Sequence, residues 1–165
     1  MKSEAIVELG KPLQTIETET PEPKGNEVLL KITHSGVCHS DVHIHDGYFD
    51  LGGGNKLPVG AMLNLPHTMG HEIEGEVVSI GPEVTEVEIG SHVVAYPWIG
   101  CGECATCKAG DEHYCNAPRQ LGIQLPGGFA DYCIVPDSKY VLDYEGIRPG
   151  LAATYMCSGL TAFGA

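Results

Sequence analysis

Val28-Leu29-Leu30-Lys31-Ile32-Thr33 runs almost directly into Gly36-Val37-Cys38-His39-Ser40-Asp41-Val42-His43-Ile44-His45. The first six residues read as a strand, and the apolar run marks it as a buried one. The stretch behind it is dense in Cys and His, the side chains that ligate metals and move protons near neutral pH.

Outward from this strand the chain is a series of short apolar runs punctuated by turn residues. Ala5-Ile6-Val7-Glu8-Leu9 reads as a strand, Gly10-Lys11-Pro12 as a turn and Leu13 to Thr18 as a second strand. Pro21-Glu22-Pro23-Lys24-Gly25-Asn26 is a linker into the buried strand. A flexible loop is expected from Gly52 to about Pro66, then a strand from Ile73 to Ile80 that ends at Gly81-Pro82. Val84, Val87 and Ile89 lead to Gly90, and strands follow at Val93 to Tyr96, Phe129 to Val135 and Tyr140 to Leu142. Only Leu151 to Ala165 reads as helical, starting after Pro149-Gly150 and interrupted at Gly159. Gly and Pro number 22 and 11 in 165 residues, a share that favours turns and short strands over long helices. The expected architecture is a mainly β, barrel-like domain with a few short helices.

Composition narrows the function. At 17.6 kDa, with 42% apolar and 19% charged residues, the chain is globular and long enough for a sizeable core. Lys plus Arg is 9 against 22 for Asp plus Glu, a net charge of -13, so a polyanion such as nucleic acid would be repelled. No run approaches the roughly 18 apolar residues of a membrane span, and MKSEAIVELG lacks the apolar core of a signal peptide. The cytoplasm is the expected compartment. In that reducing setting seven cysteines point to metal ligation or catalysis before disulfides.

Cys101-x2-Cys104-x2-Cys107-x7-Cys115 is the strongest local signal. Four thiolates in one short loop can surround a zinc ion tetrahedrally at ~2.3 Å, leaving no open position, so such a site is structural. Its binding free energy would then form part of the folding free energy of the loop. The spacing alone leaves open an iron–sulfur cluster, a pair of disulfides, or cysteines without a shared role. Cys38, Cys133 and Cys157 remain, with His71 in Gly70-His71-Glu72 and Cys157 opening Cys157-Ser158-Gly159-Leu160-Thr161. They are remote in sequence, and spacing cannot bring them together. Cys133, within an apolar strand, reads as a packed thiol. His34, His45, His67, His92 and His113 read as surface or satisfied core residues.

Taken in order, Gly-Val-Cys-His-Ser-Asp-x-His, Gly-His-Glu, C-x2-C-x2-C-x7-C and Cys-Ser-Gly-Leu-Thr-Ala resemble the zinc-dependent medium-chain alcohol dehydrogenases. The resemblance is to their N-terminal GroES-like catalytic domain and covers essentially the whole chain. It implies a GroES-like barrel over residues 1–150. Residues 151–165 would begin the helix that connects to a dinucleotide-binding domain absent from this chain. It implies two zinc ions, a structural one in the four-cysteine loop and a catalytic one on Cys38, His71 and Cys157, with a fourth position open to water or substrate oxygen. Asp41 matches the carboxylate that orients the ligand histidine, and Glu72 the acidic residue behind the metal. Ser40 matches the hydroxyl that bonds the substrate oxygen, and His43 the outer end of the proton relay. His39 matches a contact to the cofactor pyrophosphate, Thr161 a residue beside the nicotinamide, and Trp98 an aromatic of the substrate pocket.

The implied reaction oxidises an alcohol to an aldehyde or ketone with hydride transfer to NAD or NADP. The implied partners are a small alcohol or carbonyl compound, with neither nucleic acid nor membrane, and the complete enzyme is expected to be a homo-oligomer. No Gly-x-Gly-x-x-Gly follows a strand. The chain therefore reads as an N-terminal piece of a dehydrogenase, expected to hold two metals and to turn over negligibly alone. Two competing functions fit parts of the sequence. A non-catalytic zinc-stabilised binding module would need only the four-cysteine loop. A thiol redox protein would need a Cys-x-x-Cys beside a βαβ pattern, which this chain lacks.

Overall fold

The computed structural model describes residues 1–165. Ten short strands dominate, and every strand pairing is antiparallel. Strands β3 (Val28–Gly36), β7 (Glu72–Ile80), β8 (His92–Ala95), β9 (Tyr132–Val135) and β10 (Val141–Leu142) form a five-stranded sheet in the order β10-β8-β7-β3-β9. Strands β1 (Lys2–Ile6), β2 (Gln14–Glu17) and β6 (His67–Thr68) form a second sheet in the order β2-β1-β6. The two are laced together near residues 127–131: the Glu4 amide donates to Phe129 O at 2.8 Å, Gly127 to Thr68 O at 2.9 Å and Asp131 to Lys2 O at 2.9 Å.

The expected mainly β, barrel-like architecture is what the chain adopts, with the buried run Val28-Leu29-Leu30 at its centre. Val28, Leu30, Ile73, Val77, Ala95 and Val135 meet in one core, and Ile6, Ile44 and Met69 make a smaller one under the second sheet. β3 departs from the register of β7 at Leu29/Leu30 and again between Ile32 and His34. Each slip exchanges the face that successive side chains occupy, which is how one strand is buried at its start and carries polar groups at its end.

Several local expectations are corrected. The first strand is Lys2–Ile6 rather than residues 5–9. The loop expected from Gly52 to Pro66 contains half of a hairpin, β4 (Tyr48–Gly52) with β5 (Asn55–Pro58). Residues 39–46 are helical: α1 spans His39–Asp46. Its apolar pattern is too thin to announce a helix, since only Asp41 and Ile44 are buried. Capping decides it. Asp41 Oδ2 accepts the amide of the N-cap residue Cys38 at 2.9 Å, and Gly47 ends the helix at φ 80°, a conformation glycine adopts without strain. The C-terminal helical segment breaks at Cys157, not at Gly159. A 3-10 turn covers Ala152–Met156, Cys157 sits at φ -132° and ψ -71°, and Ser158–Gly164 forms the last α-helix.

Candidate metal centres

The four cysteines of the loop converge. Cys104 and Cys107 Sγ lie 3.5 Å apart, Cys101 and Cys107 3.8 Å, and Cys104 and Cys115 3.9 Å. Four sulfurs at ~2.3 Å from one tetrahedral ion sit about 3.8 Å from each other, so the loop is shaped for a single ion. A disulfide needs about 2.05 Å, and all seven cysteines are free thiols. Backbone amides point at the sulfurs: Cys104 N at Cys101 Sγ (3.4 Å), Cys107 N at Cys104 Sγ (3.4 Å) and Ala117 N at Cys115 Sγ (3.3 Å). The amides of Glu103 and Cys104 bring the Cys101 thiol down to about 6, the direction that prepares a thiolate ligand.

The short helix α2 (Ala105–Lys108) carries Cys107 in its only complete turn, with Cys104 as its N-cap. The loop is fixed to the barrel by Glu112, which the sequence did not single out. Its Oε1 accepts from Lys139 Nζ at 2.6 Å, and its Oε2 accepts from the buried Tyr140 hydroxyl and from Gly100 N. Burial, then the Glu112 carboxylate, push the Tyr140 hydroxyl up to about 12.

The second convergence joins three remote parts of the chain. Cys38 precedes α1, His71 precedes β7, and Cys157 lies between the 3-10 turn and α3 (Ser158–Gly164). Their ligand atoms all lie within 4.8 Å of one another, and Cys38 and Cys157 Sγ are 3.8 Å apart. His71 is 0% exposed. Its Nδ1 lies 3.2 Å from Asp41 Oδ1, at ion-pair distance but out of hydrogen-bond alignment, and its Nε2 has no partner at all. A buried imidazole nitrogen without a partner costs free energy unless something binds it. An orphaned nitrogen beside two thiols is the donor set of an open Cys2His metal site, and the residues present fit a zinc ion. Burial disfavours the charged ring, yet the Asp41 and Cys157 contacts outweigh it and raise His71 to about 11.

The other singled-out residues gather around this centre. Asp41 uses Oδ2 on the Cys38 amide and accepts Gly70 N at Oδ1 (3.3 Å), so one buried carboxylate touches the neighbourhood of two ligands. Glu72 is 2% exposed, and its Oε1 accepts both the amide (3.0 Å) and hydroxyl (2.6 Å) of Ser158. Gly36 makes room for it: a Cβ there would collide with the Glu72 carboxylate. Ser40 and Trp98 line a cavity of about 250 Å³ with Ile44, Phe49, Val59, Met62, Leu63 and Ile123, closed by Pro118, Gln120 and Gln124. Trp98 also places its ring edge-on to His71, with centroids 6.0 Å apart, and donates Nε1 to Met156 O at 2.9 Å. Ser40 and His43 share no direct hydrogen bond; the His43 ring packs against His39 and Phe49. His39 and Thr161 are exposed, Thr161 one turn beyond Cys157 with its amide on Cys157 O at 2.8 Å. Of the histidines set aside, His67 is a satisfied core residue, its Nε2 donating to Gly122 O at 3.0 Å. Glu74 is a fully buried carboxylate that the sequence reading passed over. An acidic side chain inside the nine-residue strand β7 was the one available hint.

Residues 24–145 match the family profile described as the alcohol dehydrogenase GroES-like domain. The chain belongs to that family. An NAD-dependent alcohol dehydrogenase of Saccharolobus solfataricus is 42% identical over 99% of this chain, which covers 46% of that protein. The solved structure of an NAD-dependent alcohol dehydrogenase superposes with a TM-score of 0.85 at 28% identity, over 99% of this chain and 45% of that one. A cobalt- and zinc-bound thermostable alcohol dehydrogenase from Pyrobaculum aerophilum does so with a TM-score of 0.82 at 32% identity, over 99% and 46%. The chain thus spans about half the length of the curated relatives it matches. The relatives named here are dehydrogenases, and no helix of this chain is long and apolar enough to cross a membrane.

Proposed function

We propose that this chain is the catalytic-domain portion of a zinc-dependent alcohol dehydrogenase. Such an enzyme oxidises an alcohol to an aldehyde or ketone and passes hydride to NAD or NADP. The observation that carries the reading is the buried imidazole of His71, its Nε2 without a hydrogen-bond partner, beside the thiols of Cys38 and Cys157. Zinc held there would supply Lewis-acid polarisation of the substrate oxygen, and a nicotinamide cofactor the hydride acceptor. A second zinc in the Cys101, Cys104, Cys107 and Cys115 loop is structural.

The chain's own residues then have definite tasks. Ser40, on the cavity wall, orients the substrate oxygen and, as it takes the substrate hydroxyl proton, releases its own toward His43. His43 takes that proton onward to solvent. Because the two side chains do not touch, the transfer needs a bridging water or hydroxyl. Asp41 fixes the orientation of His71, and Glu72 holds Ser158 beside the ligand Cys157. The exposed His39 and Thr161 meet the cofactor, His39 at its pyrophosphate and Thr161 beside its nicotinamide. Residues 1–150 form the catalytic domain, and 151–165 begin the link toward a dinucleotide-binding unit. The whole enzyme is a cytoplasmic homo-oligomer that acts on small molecules.

The cavity argues for the kind of alcohol. Its walls are mostly aliphatic and aromatic with the uncharged polar Ser40, Gln120 and Gln124, and none of its eleven lining residues carries a charge. A carboxylate or phosphate on the substrate would be desolvated there without a cation to meet it. An uncharged alcohol with an apolar chain or ring fits.

Metal analysis of the zinc-reconstituted chain tests the reading. Two equivalents per chain are expected, falling to one on Cys157→Ala. One equivalent in the parent chain, or no loss on Cys157→Ala, would overturn it.

A further inference from the structure

Cys157 is the ligand that the fold must work hardest to deliver. It is 119 residues from Cys38, and its backbone is neither helical nor extended. The segment that carries it has little apolar hold, because the only buried side chains in the 3-10 turn before it are Ala152 and Ala153. Alanine buries too little surface to fix a loop to within a fraction of an ångström.

Two carboxylates hold that segment instead, and both come from β7. Glu74 Oε1 and Oε2 each accept the Gly150 amide at 3.0 Å, and Oε1 also accepts the Tyr144 hydroxyl at 3.1 Å. His34 Nδ1 lies 3.3 Å from the same oxygen. Eight residues later Glu72 Oε1 takes the Ser158 amide and hydroxyl. Glu72 and Glu74 are two apart in one strand, so they stand on one face roughly 6.5 Å apart. Residues 150–158 are therefore fastened at both ends to a single strand, and the residue preceding that strand is His71. A third hold, Trp98 Nε1 on Met156 O, lies between the two. Hydrogen bonds from amides to ionised carboxylates are among the stronger ones available, and both carboxylates are withdrawn from competing water.

We propose that Glu72 and Glu74 act as a pair of positioning residues that set Cys157 against His71. The inference rests on the reading of Cys38, His71 and Cys157 as a metal centre. A carboxylate at position 74 would then govern metal retention without touching the metal. Groups that orient ligands in this way alter metal affinity by roughly 10–100-fold when removed.

The test follows zinc release from the whole 165-residue chain into a chromophoric chelator, alongside thermal unfolding of the same samples. The parent chain should release two ions in separable phases. Glu74→Gln is expected to speed one phase on the order of ten-fold and leave the other at the parent rate. In the cobalt-substituted protein the same variant should weaken the thiolate-to-cobalt absorption of that one centre. Release of both ions at parent rates would overturn the proposal. So would a joint acceleration of both phases that tracks the loss of thermal stability, since that is the signature of a carboxylate that merely supports the fold. If Glu74→Gln does not fold, Ser158→Ala, which removes only the hydroxyl on Glu72, decides by the same readout. A parent chain that carries a single ion would overturn the metal-centre reading itself, and is seen before any variant is compared.

Discussion

Asp41 spans two ligands of the three-residue centre: its Oδ1 lies 3.2 Å from His71 Nδ1 while its Oδ2 accepts the Cys38 amide at 2.9 Å. The side chain that starts helix α1 through one oxygen therefore orients the imidazole through the other, so local helix capping and the geometry of the centre are coupled. Asp41→Ala is expected to weaken zinc binding at this centre by about 10–100-fold while the four-cysteine loop keeps its ion. Competition titration against a chelator of known affinity reads both sites. Equal weakening at the two would show that Asp41 acts on the fold alone.

Zinc uptake at this centre should be steeply pH-dependent. His71 is protonated in the metal-free fold, its value raised to about 11, and a metal can bind only the neutral ring. Binding therefore expels that proton, and zinc affinity should rise by about one decade per pH unit for each proton displaced. Titrations between pH 6 and 8 check the sign: affinity must climb with pH. In the metal-free chain the linkage runs the other way. The folded value exceeds the unfolded 6.5, so the stability His71 contributes is complete below 6.5 and declines as pH rises toward 11.

His67 gives the opposite acid response. Burial holds its value below the ordinary 6.5 although Nε2 is hydrogen-bonded to Gly122 O. Neutral His67 contributes stability above pH 6.5, and that contribution is lost as pH falls through 6.5 toward the folded value. His67→Gln, which cannot charge, should lose less stability than the parent between pH 6.5 and 5. Urea unfolding of zinc-loaded samples at the two pH values makes the comparison.

Glu112 should matter to stability out of proportion to its place on a surface loop. Glu112→Ala strands the hydroxyl of Tyr140, a residue 8% exposed in the main core, at an expected cost of about 1–3 kcal/mol. Tyr140→Phe in the Glu112→Ala background should recover part of that loss, because it removes the unsatisfied group. A double-mutant cycle in denaturant measures the coupling.

The parts of this fold that were legible before the structure are those with a short-range code. The run at Val28 to Thr33 announces a buried strand, and the spacing of Cys101, Cys104, Cys107 and Cys115 needs only loop geometry to close. Helix α1 was hidden because its stability comes from Asp41 and Gly47 rather than from apolar periodicity. The convergence of Cys38, His71 and Cys157 came from resemblance, not from spacing, since nothing local links residues so far apart. Glu74 escaped notice for a related reason. Its partners, Gly150 and Tyr144, are 76 and 70 residues away, and a buried acid looks like any other until they arrive.

The two clusters also differ in when they can form. Cys101 and Cys115 are 14 residues apart, whereas Cys38 and Cys157 are 119 apart. Joining the wider pair in an unstructured chain costs about 2 kcal/mol more in closure entropy. It also requires residue 157 to have left the ribosome. The cysteine lobe can thus capture its ion during synthesis, while the other centre waits for the barrel. If both proposed centres take zinc, the four-cysteine lobe should fill first during synthesis.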